Sequence, residues 1–259
     1  MTNFTSRTRF TGKSVLVTGG GSGLGRAIAL AFAAEGAHVA VAGRGEGPLK
    51  ETVQLIEEQG GTAFAVTADV SSAGEVQAAV RAVVDRFGSL DVAVNNAGVL
   101  RAGTPLAELS EEDWRTQLDI NVTGVFLALR AEIAEMRGQS TGGAIVNIAS
   151  NLGPHLRIPG AAAYAATKAA VWALTRGAAL DHIGDGVRVN SVSPGASDTS
   201  MSLLPGENEA GRAERMRETN PLGRVASRDE VAAAVLYLAS PEAGSLVGTD
   251  LVVDGGAAA

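Results

Sequence analysis

Ser14-Val-Leu-Val-Thr-Gly-Gly-Gly-Ser-Gly-Leu-Gly25 joins an apolar segment to an amphipathic one through a run of glycines. Ser14 to Thr18 reads as a short buried strand, and Leu24 to Glu35 as a helix closed by Gly36. The glycine-rich segment between them can bring backbone N–H groups and the positive helix end against a pyrophosphate, because glycine has no Cβ to obstruct the approach. Gly19, Gly23 and Gly25 spell Thr-Gly-x-x-x-Gly-x-Gly, which differs from the Gly-x-Gly-x-x-Gly spacing of many dinucleotide folds. A plain flexible turn between two packed elements would also use glycines, so the neighbouring segments have to decide.

Outward from that loop, strands and helices alternate. His38 to Ala42, Thr62 to Thr67, Asp91 to Val94, the apolar run from Ile145, Val187 to Val192 and Asp250 to Val253 read as strands. Leu49 to Gln59, Ser72 to Phe87, a long helix capped by Ser110, Ala161 to Ile183 and Arg228 to Ala239 read as helices. Such alternation implies a parallel sheet covered on both faces, with ligand beyond the carboxyl ends of the strands. The expected architecture is α/β, a Rossmann-like doubly wound parallel sheet of about seven strands in a single domain. Its bounds are residues 12–259, after a flexible N-terminal arm at 1–11. Residues 201–220 hold Pro205, Gly206, many charges and a short helix near Ala210 to Arg217, so a substrate flap is expected over about 196–220.

Composition excludes several chemistries. A net charge of −7 and a pI near 5.1 argue against nucleic acid or an anionic membrane as the main partner. With no cysteine, disulfides, thiol catalysis and cysteine-bound zinc are impossible, and His38, His155 and His182 are too scattered for a metal cluster, so no metal is expected. No run approaches the length of a membrane span, and the first residues lack a secretory core, which points to a cytoplasmic protein.

Two further stretches carry chemistry. In Ala-Ser150-Asn-Leu-Gly…Tyr164-Ala-Ala-Thr-Lys168, the helical spacing puts Tyr164 and Lys168 side by side. An ammonium about 6 Å from a phenol at an effective dielectric near 20 favours the phenolate by roughly 2–3 kcal/mol, or about two pKa units. Tyr164 would then approach the range of a general acid or base. At the end of the second strand Gly43 stands where NAD-binding folds carry an acid for the ribose 2′-hydroxyl, and Arg44 follows, which suits a 2′-phosphate. NADP(H) is therefore favoured as cofactor, with NAD(H) open. Asn121, inside a helix that disfavours asparagine, invites a functional reason, although a satisfied buried amide would also account for it.

Together, Thr18-Gly-Gly-Gly-Ser-Gly-Leu-Gly25, Asn95-Asn-Ala-Gly98, Asn121, Ser150, Tyr164-x-x-x-Lys168, Pro194-Gly195 and Val253-Asp-Gly-Gly256 resemble the classical short-chain dehydrogenase/reductase family, from about residue 12 to 256. The resemblance implies a catalytic set of Asn121, Ser150, Tyr164 and Lys168, with Ser150 bonding the substrate oxygen, Tyr164 moving its proton and Asn121 keeping a water for Lys168. It implies cofactor contacts at Gly19, Ser22, Gly23, Leu24, Gly25, Arg44, Asp69, Val70, Asn95, Ala97, Gly98, Tyr164, Lys168, Pro194, Gly195 and Thr199. A homotetramer, packed through the 111–137 and 161–183 helices and the C-terminal segment, is also implied.

One departure concerns Ser150, which lies fourteen residues before Tyr164, where the family's usual thirteen would fall on Asn151. Ala-Ser-x-Leu-Gly matches the family's Ser-Ser-x-Ala-Gly, so Ser150 is assigned and an insertion is read within Pro154 to Ile158. That insertion could bring His155 or Arg157 to the substrate. The expected activity is interconversion of a small-molecule carbonyl and a secondary alcohol. A lyase or isomerase on the same scaffold, and a non-catalytic nucleotide-binding regulator, are the alternatives.

Overall fold

Runs of Val, Ile and Ala buried on both faces build the sheet, as parallel strands flanked by helices require. The computed structural model describes residues 8–259. Among these, the strands are β1 (Ser14–Thr18), β2 (His38–Gly43), β3 (Thr62–Thr67), β4 (Val92–Asn95), β5 (Gly143–Ile148), β6 (Val187–Pro194) and β7 (Asp250–Val253). They pair in parallel in the order β3-β2-β1-β4-β5-β6-β7. The order reverses between β1 and β4, which opens a crevice beyond their carboxyl ends.

Alternation along β1 divides the core. Val15 and Val17 pack with Ile28 and Phe32 of α1 (Gly23–Ala34), Leu49 of α2 (Glu46–Glu58) and Val235 of α8 (Arg228–Ala239). Leu16 enters the opposite layer with Val83 of α3 (Ala73–Phe87), Val125 of α5 (Gly124–Met136) and Val171 of α6 (Ala162–His182). A doubly wound sheet therefore forms as expected.

Several boundaries differ from the sequence reading. α2 starts before Leu49, because Gly45 takes the N-cap position and Pro48 is already compatible with a first helical turn. The long helix after Ser110 is interrupted: α4 (Glu111–Leu118) passes through one π-turn (Asp119–Thr123) into α5. Ser110 does cap it, its side chain accepting from the Asp113 N–H. The flap carries α7 (Glu209–Thr219). Of the expected flexible arm, residues 1–7 lie outside the described residues, but its last part is fixed: Phe10 is buried edge-on against Phe32, and Arg9 pairs with Glu35. A buried aromatic gains more than a polar tail loses on ordering. Among the described residues no helix is long and apolar enough to cross a membrane.

Candidate active site

The glycine loop is held open by its own backbone. Gly19 has φ +66°, and a Cβ on Gly25 would lie 2.2 Å from the Gly19 carbonyl oxygen, so a side chain at Gly25 cannot fit this turn. Asn96 ties the loop to the end of β4: its Nδ2 donates to the carbonyls of Thr18 (3.0 Å) and Gly19 (3.3 Å). The Thr18 hydroxyl accepts from the N–H groups of Asn96 and Ala97. Ser22 sits at the N-cap of α1 without capping it by its side chain, so its hydroxyl is not committed to the helix end.

Beside this loop runs a cleft of about 150 Å³, lined by Gly19, Arg44, Asp69, Val70, Ala97 and Gly98 among others. Six of the expected cofactor residues thus converge. Two hydrogen bonds from Ser71 hold the Asp69 carboxyl below its ordinary range, and the Arg44 guanidinium adds to the effect. Across the loop, Thr199 faces Gly23, its Cγ2 3.5 Å from where a Cβ would stand.

The candidate reactive groups lie where α6 meets β5. Ser150, Tyr164 and Lys168 are buried, and Lys168 Nζ is 5.8 Å from the centre of the Tyr164 ring. Lys168 Nζ donates to the Ile148 carbonyl at 2.8 Å. Asn121 sits in the π-turn, the kind of local widening of a helix that often marks a functional position. Its amide closes a pair of hydrogen bonds with the Val99 backbone, at 2.8 and 2.9 Å, and donates to Thr167 Oγ1. Gly98 joins the two ends: a Cβ there would stand 3.2 Å from Asn121 Oδ1 and 3.6 Å from Lys168 Nζ.

The expected fall in the Tyr164 pKa is not found. Burial pushes the phenol up to about 12, with a hydrogen bond to the Ser150 side chain acting in the opposite sense. Burial likewise pushes Lys168 down to about 8. Removal from water disfavours each charged form, and the lysine's short contact goes to Ile148 rather than to the phenol.

Some expected positions fall elsewhere. The Asn95 side chain does not face the cleft's nucleotide end; its Nδ2 is taken by Glu132 and Asn147 inside the fold. Leu24 packs against the core, which leaves its backbone for any ligand. Pro194 and Gly195 shape a neighbouring loop: the Pro194 carbonyl accepts from the Asn151 N–H, and Gly195 lies against Asp254. Asn151 Nδ2 donates to Asp254, so the residue at the shorter family spacing is engaged away from Tyr164, in keeping with Ser150 as its partner. In the insertion, His155 Nε2 lies 2.6 Å from Asp250 Oδ2 at the start of β7, and Arg157 is exposed.

The family model described as Enoyl-(Acyl carrier protein) reductase matches residues 19–258. A 2,5-dichloro-2,5-cyclohexadiene-1,4-diol dehydrogenase of Sphingobium indicum is 40% identical over 245 residues, which span 95% of this chain and 96% of that one. The 3beta-hydroxysteroid dehydrogenase 1 of Eggerthella lenta is 41% identical over 246 residues, spanning 95% and 93%. A short chain dehydrogenase of Burkholderia cenocepacia, solved in complex with NADP, matches with a TM-score of 0.88 at 38% identity, covering 97% of this chain and 100% of that one. This chain belongs to the short-chain dehydrogenase/reductase family.

As a short-chain dehydrogenase/reductase it is an oxidoreductase for alcohol and carbonyl groups, and its family binds a nicotinamide cofactor. The residues present suit that cofactor: the turn leaves no room for a Cβ at Gly19, Gly20 or Gly25, and Arg44 lines the cleft beside it. The sequence reading quoted Thr18 and Asn96 within its motifs without giving them a role, and did not single out Ile120 or Arg212. Thr18 and Asn96 lock the glycine loop, Ile120 lines the cleft, and Arg212 Nη1 donates to the Thr199 carbonyl at 2.9 Å. The paired asparagines were a signal for Asn96; nothing local marked Arg212 in a charged flap.

Proposed function

We propose that this short-chain dehydrogenase/reductase is an NADP(H)-dependent oxidoreductase interconverting a ketone or other carbonyl and a secondary alcohol, with Asn121, Ser150, Tyr164 and Lys168 as its catalytic set. One observation carries the reading: a phenol and an amine are buried together on α6, beside Ser150 and against Gly98 of the cleft.

Gly19, Arg44, Asp69 and Gly98 would hold a nicotinamide nucleotide in the cleft, where it would supply hydride chemistry at a carbonyl or alcohol carbon. In the reducing direction Tyr164 Oη gives its proton to the substrate oxygen. Ser150 Oγ donates to the same oxygen and stabilises the negative charge that develops there. Lys168 Nζ keeps a positive charge near the phenolate that remains. Asn121 fixes the Val99 backbone and, through Thr167, the start of α6.

Arg44 in the cleft, the absence of an acid at Gly43, and the NADP-bound Burkholderia relative support NADP(H) over NAD(H). The two curated relatives are named for ring-borne hydroxyl groups, which puts cyclic secondary alcohols and ketones first among substrates. Exposed Ile158 in the Ser150 loop and Met201 and Leu204 in the flap give those segments an apolar face suited to ring carbons. Exposed Phe126 on α5, Leu180 on α6 and Ile183 just after it favour a homotetramer packed through these helices.

The test is a panel of cyclic ketones and alcohols assayed with NADPH and NADH by nicotinamide absorbance, which changes only on net hydride transfer and so separates this reading from a lyase or isomerase. Tyr164→Phe should lower kcat by about 10²–10⁴-fold while leaving NADPH affinity within about two-fold. Retained turnover in that variant would reject the acid/base role.

A further inference from the structure

A second buried polar cluster lies beneath the cofactor loop. Glu132 of α5 is 1% exposed, and Asn95, Asn147 and Thr175, from β4, β5 and α6, are equally enclosed. The proton directions follow from one end of the chain of contacts. The Thr175 hydroxyl donates to the Val171 carbonyl at 2.8 Å, so it accepts from Asn147 Nδ2 at 2.9 Å. Asn147 then turns Oδ1 towards Asn95, whose Nδ2 donates to it at 3.0 Å and to Glu132 Oε2 at 2.9 Å. This network assigns which way both asparagines point. Both protons of Asn95 Nδ2 are now used, and Asn95 Oδ1 is left buried without a partner.

A buried acceptor without a donor is costly, and a carboxylate beside it would add a second acceptor. A carboxylic acid has the complementary pattern: its carbonyl accepts from the amide while its O–H donates to Oδ1. The enclosure has the same preference, since burial pushes Glu132 up to about 7. The titratable and charged groups on the helices packed around it are Glu75, Arg81, Asp85 and Arg86 on α3, Arg130 and Glu135 on α5, and Tyr164, Lys168, Arg176, Asp181 and His182 on α6. None of them enters the balance at Glu132, and β4 and β5 carry no charge.

The cluster's position gives it a use. Asn95 precedes Asn96-Ala97-Gly98, which holds the glycine loop; Asn147 lies three residues before Ser150; Thr175 shares α6 with Tyr164 and Lys168. A cavity of about 10 Å³ bounded by Thr18, Asn95, Ala97 and Ala128 separates it from the cleft. We propose that Glu132 is a positioning residue, held as the neutral acid and paired with the Asn95 amide, that keeps the cofactor loop and the Ser150 loop in register. The inference rests on nicotinamide nucleotide binding at this site.

Glu132→Gln replaces the O–H donor by N–H and cannot ionise; Glu132→Leu removes the carboxyl group and leaves the Asn95 amide with Asn147 alone. Unfolding temperature and NADPH affinity, the latter from cofactor fluorescence without substrate, would be followed from about pH 5 to about pH 9 for all three full-length proteins. Expected results are a wild-type unfolding temperature that falls relative to Glu132→Gln as pH rises through about 7, and an NADPH Kd that rises about ten-fold over the same range only in the wild type. Glu132→Leu should bind NADPH weakly at every pH. At low pH the infrared carbonyl band of a protonated acid should appear in the wild type and be missing from Glu132→Gln. Parallel unfolding curves with no acid band would overturn the proposal and point to a water as the Asn95 partner, as would unchanged NADPH affinity in Glu132→Leu. Failure of the wild type to bind either nicotinamide nucleotide would instead overturn the cofactor reading and the positioning role with it, while the infrared band would still decide the state of Glu132.

Discussion

Replacing Lys168 by Met should stabilise the protein while abolishing its turnover. Lys168 is 4% exposed and has one short polar contact, to the Ile148 carbonyl. Its pKa falls from the ordinary 10.5 to about 8, which at 1.36 kcal/mol per unit means that keeping the ammonium charged at neutral pH costs about 3 kcal/mol. Met fills similar space without charge but leaves the Ile148 carbonyl unpaired, a loss of about 1 kcal/mol. The net gain is about 2 kcal/mol, or about 4–8 °C in Tm for a domain of this size. The sign has a pH signature. Because the folded pKa lies below the unfolded one, the wild type carries the full penalty below about pH 8 and sheds it as pH rises towards 10.5. Scanning calorimetry of both cofactor-free proteins at pH 7 and at about pH 10 should therefore show the variant's advantage at the lower pH vanish at the higher. A variant that melts below the wild type at pH 7, or a gap independent of pH, would refute a buried, destabilising ammonium.

Two other substitutions address the cofactor end. Gly25→Ala drives a Cβ to within 2.2 Å of the Gly19 carbonyl, so it should cost about 1–3 kcal/mol and weaken NADPH binding, whereas Gly74→Ala, with open space around it, should be neutral or slightly stabilising. Equal melting temperatures for the two variants would contradict this. Arg44→Asp should raise the KM for NADPH by about ten- to a hundred-fold and improve use of NADH, the size expected for lost charge-assisted hydrogen bonds to a phosphate. An unchanged ratio of kcat/KM for the two cofactors would remove Arg44 from the 2′-phosphate site.

What the sequence disclosed was mostly local or strongly periodic. β1 centres on three consecutive apolar residues, the glycines following it carry their own geometric requirement, and Tyr164 and Lys168 are neighbours through helical spacing alone. Properties that depend on what packs around a residue were not legible. The Tyr164 pKa moves up rather than down because the whole of α6 is pressed onto β5 and β6, and no local pattern reports that desolvation. Asn95 and Asn96 look interchangeable in the chain, yet successive side chains leave a strand on opposite sides, so one enters the core and the other fastens the glycine loop. The π-turn at Asn121 reads as plain helix because its flanks are helical. Glu132 has the look of a surface charge until α3, α5 and α6 close around it.

The direction of these shifts bears on which way the chemistry is poised. With the phenol pushed up to about 12 and the amine down to about 8, the resting site at neutral pH holds a protonated tyrosine beside a lysine that is still an ammonium. That is the state needed to give a proton to a carbonyl oxygen. It is also the state in which losing that proton creates a phenolate next to a cation already in place, so burial opposes the isolated charge at Tyr164 but not the ion pair that follows proton transfer. Under the proposed roles, alcohol oxidation starts from the opposite protonation state, with Tyr164 as the base, and burial disfavours that start. The same burial that makes each group reluctant to ionise alone therefore couples them: on the proposed mechanism the proton is expected to move readily only when both partners, and Ser150 on the substrate oxygen, are in place together.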